Sequence, residues 1–119
     1  MPDQLSMSLR LPQRFAKICD LDPVEQALEY EVLAEKASTL GRLQGKLERA
    51  LVRLAEFEQA GGGAAERRER LVEEAGEALW YVAIQRDLCG LRVDAVFYRT
   101  FQVPRAVINR MGPARRGAP

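Results

Sequence analysis

The sequence contains no histidine, and that absence excludes histidine general bases, histidine metal ligands, Ser-His-Asp triads and Cys-His dyads together. Cysteine is scarce too. Cys19 and Cys89 stand 70 residues apart, with no C-x-x-C and no zinc-ligand spacing, so both are expected as free thiols. No apolar run approaches the roughly 18 residues of a membrane-spanning helix, and no basic segment followed by an apolar one reads as a secretory signal. A cytoplasmic, reduced setting is expected, with no membrane partner. Aromatic residues make up only 7% of the chain, while Ala, Leu, Glu and Arg dominate, which favours helix over sheet. A strong field of either sign is missing as well. The net charge is +1, so nucleic acid is not a favoured partner, although residues 86–119 carry seven Arg against two Asp.

What is present is one long helical pattern, Asp22 to Ala60. Asp22 can cap the first free backbone N–H groups, Pro23 suits the first helical position, and Glu25 completes a D-x-x-E capping box. Gly61-Gly62-Gly63 ends the pattern. Leu33, Leu40, Leu47 and Leu54 recur every seventh residue, with Leu43 and Phe57 at matching positions. That seam requires an apolar partner, and these six residues are the expected self-association surface of a homodimer. Ala37, Gly41 and Gly45, at four-residue intervals, predict a close helix–helix crossing, with a kink at Gly41 as the alternative. A basic-region zipper is rejected, because the stretch before the leucines carries Glu25, Glu29, Glu31 and Glu35 rather than Lys and Arg.

A second helix is predicted from about Ala65 to Cys89, ended by Gly90, with one of Trp80 and Tyr81 in the core and the other at a rim. The short glycine-rich connection makes the two helices antiparallel neighbours. Asp94 can cap a short helix carrying Val96, Phe97 and Phe101, and Pro104 opens another carrying Val107, Ile108 and Met111. The fold expected is therefore all-α: a long antiparallel helical hairpin with two short C-terminal helices and an irregular N-terminal arm. The arm is read over residues 1–21, the helical domain over 22–112 and a disordered tail over 113–119. At 1.5 Å per residue, the first helix exceeds the second by about 20 Å, a length for the terminal segments or a second subunit to cover.

The text EEAGEALWYVA, Glu73 to Ala83, resembles the second half of the signature of MazG-type all-α nucleoside triphosphate pyrophosphohydrolases. In that family four carboxylates on two helices hold magnesium against a nucleotide's phosphates. The resemblance implies Mg²⁺ as cofactor, with Glu74 matching the family's second-helix Glu, Glu77 standing where Asp is expected, and Glu31 and Glu35 on the first helix. The chain departs from the pattern there, since Glu31 and Glu35 are four apart instead of three and Lys36 adjoins them. Within one hairpin Glu35 and Glu74 would lie roughly 22 Å apart along the axis. No other reading calls for a cofactor, and a catalytic residue is not assigned.

The segment FYRTFQVPRAVINRM resembles a helix-turn-helix in the spacing of Phe97, Phe101, Val103, Ile108 and Met111, with Arg99, Arg105 and Arg110 able to contact phosphates. Tyr98 and Gln102 stand where that motif usually has Ala and Gly. Across most of the chain, EYEVLAEKASTLGRL followed by ALWYVAIQRDLCGL and a short V-P-R helix resembles a family of small, uncharacterised bacterial helical proteins, a likeness that supplies no activity. The function expected is a non-enzymatic, self-associating interaction or regulatory protein. A Mg²⁺-dependent pyrophosphohydrolase is the first alternative and a DNA-binding regulator the second.

Overall fold

Helix start and stop signals set the architecture. The computed structural model describes residues 20–113; the expectations for the arm and the tail fall almost wholly outside them. The described chain holds four helices and no strand: α1 (Pro23–Gln59), α2 (Ala65–Leu88), α3 (Ala95–Thr100) and α4 (Arg105–Asn109). Contacts divide the chain into two compact units after Glu35, inside α1 rather than at its start.

In the first unit, the Asp22 carboxylate accepts a hydrogen bond from the Glu25 N–H at 2.8 Å, and the Gln26 side-chain amide donates to the Leu21 carbonyl at 3.0 Å. The acidic cap satisfies a free N–H and complements the helix dipole. Val24, Leu28, Tyr30 and Val32 are all exposed.

The second unit is a hairpin with a short C-terminal pair closing one side. Leu40, Leu47, Ala50 and Leu54 of α1 are buried with Leu71, Val72, Ala75, Ala78, Leu79 and Val82 of α2, joined by Phe97, Val103 and Val107. Burial of each large side chain in that set stabilises the fold by about 1.5–3 kcal/mol. Cross-links outside the core fix direction and register. Arg68 Nε donates to Glu58 at 2.8 Å, Arg53 pairs with Glu74, and Gln85 donates to the Lys36 carbonyl at 3.2 Å. As α2 advances its partners retreat along α1, so the two helices are antiparallel, as the short connection predicts. α1 itself runs as helix through Gly41.

Three helix ends use one device. In the Schellman arrangement a residue with positive φ lets two N–H groups reach back to the last turn. After α1, Gly62 N–H donates to Phe57 and Gly61 N–H to Glu58, with Gly61 at φ 91°. After α2, Leu91 donates to Arg86 and Gly90 to Asp87, with Gly90 at φ 78°. After α3, Val103 donates to Tyr98 and Gln102 to Arg99, with Gln102 at φ 51°. The third case places glutamine where the other two have glycine.

The Asp94 carboxylate caps α3, accepting from the Phe97 N–H at 3.0 Å. Arg86 then ties the connection to the core. Its guanidinium donates twice to the Arg92 carbonyl, at 3.1 and 3.0 Å, and lies 4.7 Å from the Phe97 ring centroid. That ring stacks on Phe101 at 4.4 Å. The expectation for Trp80 and Tyr81 needs correction: Trp80 is only half-buried and Tyr81 is exposed, their centroids 5.2 Å apart, because α2 turns Leu79 and Val82 into the core instead.

Candidate functional site

The carboxylates come first, because a metal site would decide the chemistry. Glu74 is ion-paired with Arg53, both side chains about half exposed. Glu77 is half-buried on α2. Glu31 and Glu35 are exposed on the first unit. Among the described residues no three His, Cys, Asp or Glu side chains are grouped so that they could hold a metal ion. Magnesium needs converging oxygen ligands, and the donor set implied by the pyrophosphohydrolase likeness does not provide them. No catalytic step is derived through it.

The leucine seam has an occupant of its own. Leu47 is 0% and Leu54 3% exposed, and with Leu40 they face α2 of the same chain, while Leu43 and Phe57 pack partly buried on that core. Side chains without exposed surface cannot touch a second copy unless the hairpin opens. Leu33, half-buried in the first unit, is the one seam residue before Lys36.

The small-residue positions Ala37, Gly41 and Gly45 have no partner helix among the described residues. A Cβ built on Gly41 meets nothing within 4 Å, and one on Gly45 meets only the end of the Arg49 side chain at 3.3 Å. Ala37 is exposed. The close crossing lies at Gly76, where a Cβ would stand 2.5 Å from the Arg110 carbonyl oxygen, just after α4. The spacing argument missed it because Gly76 has no second glycine on its face. The signal available was a glycine between Ala75 and Ala78 on the most apolar stretch of α2.

Arg110 is committed to that crossing. Its guanidinium donates to Glu69 at 2.6 and 2.9 Å and to Glu73 at 3.3 Å, which locks the end of α4 to α2. Arg99 and Arg105 are exposed. The α3–turn–α4 segment does have a left-handed residue in its turn, at Gln102. Its second helix, however, is five residues long and turns Val107, 0% exposed, into the core. A recognition helix presents its N-terminal residues to base edges in the major groove, and a helix of five residues offers little length for that.

Among the described residues of the second unit, two of the surface concavities border residues already discussed. One, of about 450 Å³, is a shallow bay on α1 lined by Thr39, Gly41, Arg42, Leu43, Gly45, Lys46 and Arg49. The other, also about 450 Å³, runs between α1 and the α3–α4 turn, with Leu51, Val52, Ala55 and Phe101 as its apolar floor. Cys89 is a half-buried free thiol. Among the described residues no helix is long and apolar enough to cross a membrane.

Comparison with known proteins returned no curated protein and no solved structure similar to the chain. It gave no support to the pyrophosphohydrolase likeness, but a family model does match. That model spans residues 7–118, nearly the whole sequence, and the chain belongs to the family of unknown function DUF6665.

Proposed function

We propose that the protein is a non-enzymatic helical interaction protein of the cytoplasm that works as a homodimer. The observation that carries this reading is the run of exposed apolar side chains on the first unit's helix, with Val24, Leu28 and Val32 in one stripe and Tyr30 on another side. Val24, Leu28, Tyr30 and Val32 are 71, 57, 48 and 47% exposed, all within three turns of helix. Scattered surface apolar residues are ordinary, but a concentration of this kind on one short segment marks an association surface. The leucines that supply the hairpin core are not needed for this reading; the exposed apolar side chains before Lys36 take their place as the self-association element.

Sedimentation velocity at micromolar concentration tests the reading. A dimer is expected, and a strictly monomeric profile would overturn it. The enzymatic alternative is tested separately by incubation with nucleoside triphosphates and Mg²⁺ or Mn²⁺. No release of pyrophosphate is expected; metal-dependent turnover lost in Glu74→Gln would replace the interaction reading with a hydrolase.

A further inference from the structure

Within the second unit, α1 carries four cations in a row. Arg42, Lys46, Arg49 and Arg53 follow one another at intervals of four, three and four residues, which sets them within about 60° of one another around the helix. No acidic residue stands three or four positions from Arg42, Lys46 or Arg49. Their charged neighbours at that spacing are cations, and like charges so placed destabilise a helix. Arg53 is relieved by its ion pair with Glu74 on α2. Among the described residues the other ion pairs join Arg68 to Glu58 and Arg110 to Glu69 and Glu73, and none involves Arg42, Lys46 or Arg49. These three are exposed and line one bay. Arg42 donates there to the neutral Thr39 hydroxyl at 3.0 Å. A run of like charges with no relief inside the chain breaks a local rule of helix stability, and such breaks belong to functional positions.

We infer that this bay binds an acidic helix of a partner protein, with carboxylates one turn apart facing the three cations. Charge complementarity sets the sign of the occupant, and spacing sets its form. Arg42 to Lys46 is a rise of about 6 Å and Lys46 to Arg49 one of about 4.5 Å. Carboxylates on one face of a second helix stand at the same steps, so each meets a cation in turn. A Cβ at Gly41 would meet nothing within 4 Å, which leaves room for the partner's backbone beside the cations. Nucleic acid fits the bay less well. No aromatic side chain lines it, whereas single strands are held by base stacking as well as by charge. The net charge of +1 also supplies no wider field to draw in a polyanion. The cations all lie in the second unit, so the site does not depend on the self-association proposed above, which uses side chains before Lys36.

Binding of three labelled probes to the full chain, followed by fluorescence anisotropy, tests this. One is an alanine-rich helical peptide with its glutamates in a single stripe. The second has the same composition with the glutamates spread around the helix, and the third is oligothymidylate. The striped peptide should bind at least about tenfold more tightly than either of the others, and more weakly as salt is raised. Arg42→Gln/Lys46→Gln/Arg49→Gln should bind it at least about tenfold more weakly than wild type. Arg67→Gln/Arg99→Gln/Arg105→Gln removes the same charge from exposed positions elsewhere and should bind it as wild type does. Circular dichroism checks that both variants keep their helix content, which glutamine favours. Equal losses in the two variants, equal binding of the two peptides, tighter binding of oligothymidylate, or no binding of the striped peptide would each overturn the proposal.

Discussion

Gly76 and Gly41 both lie inside long helices, and each forgoes the same alanine advantage, yet their surroundings are opposite. Gly76 is buried, with the backbone carbonyl of Arg110 pressed against the place a side chain would occupy. Gly41 is exposed and faces open space. The first glycine is explained by the fold of one chain, because α4 could not seat Val107 in the core with a methyl group at position 76. The second has no such neighbour among the described residues, so nothing described requires a glycine there.

The comparison breaks most visibly at Gly76. Alanine there should destabilise the protein despite its better helix propensity. Overpacking costs about 1–3 kcal/mol, and the atom in the way is backbone, which cannot rotate aside as a side chain can. Against a propensity gain of about 1 kcal/mol, a net loss of about 1–2 kcal/mol is expected. A lower urea midpoint, with faster amide exchange over residues 105–111, would show it. A midpoint at or above wild type would mean that α4 moves aside freely and that the crossing carries little of the stability.

Gly41→Ala should do the reverse. With nothing opposite the new methyl group, the propensity gain of about 1 kcal/mol stands alone, and the melting temperature should rise by about 4 °C. The measurement belongs at concentrations where the chain is monomeric, so that self-association does not enter. A fall in the melting temperature would place an unseen intramolecular neighbour at this face and remove the contrast with Gly76.

These glycines also mark how far the sequence could be read. The helix ends were legible, because Asp22, Gly61, Asp94 and Gly90 act locally, through bonds to residues three to five positions away. Antiparallel pairing followed from the short AGGG turn. The partner of the leucine seam was not legible: a heptad repeat says that Leu40, Leu47 and Leu54 need an apolar surface, and α2 serves as well as a second copy. Nor could spacing separate Gly76 from Gly41, since a missing Cβ says nothing of what stands opposite. The carboxylates were misleading for a related reason. Glu74 stands at a motif position, but a side chain that can bind a metal can equally pair with an arginine one helix away, as it does with Arg53.

The smallest effect is expected where local chemistry alone is at stake, in the turn between α3 and α4. Gln102 occupies the left-handed position, φ 51°, of a Schellman end that glycine fills after α1 and α2. A side chain with a Cβ costs about 1–2 kcal/mol in that conformation, whereas glycine adds roughly 0.5–1 kcal/mol of unfolded-chain entropy to be lost on folding. The difference leaves Gln102→Gly about 0.5 kcal/mol more stable than wild type. Because the Gln102 side chain is exposed, little packing is lost to confuse the comparison. Gln102→Val should fall on the other side, since a β-branched residue tolerates positive φ least. Urea midpoints ordered Gly, Gln, Val would establish that the backbone conformation, not the glutamine, holds this end of α3. A glycine variant less stable than wild type would show instead that the side chain contributes to the groove it borders with Phe101 and Val52.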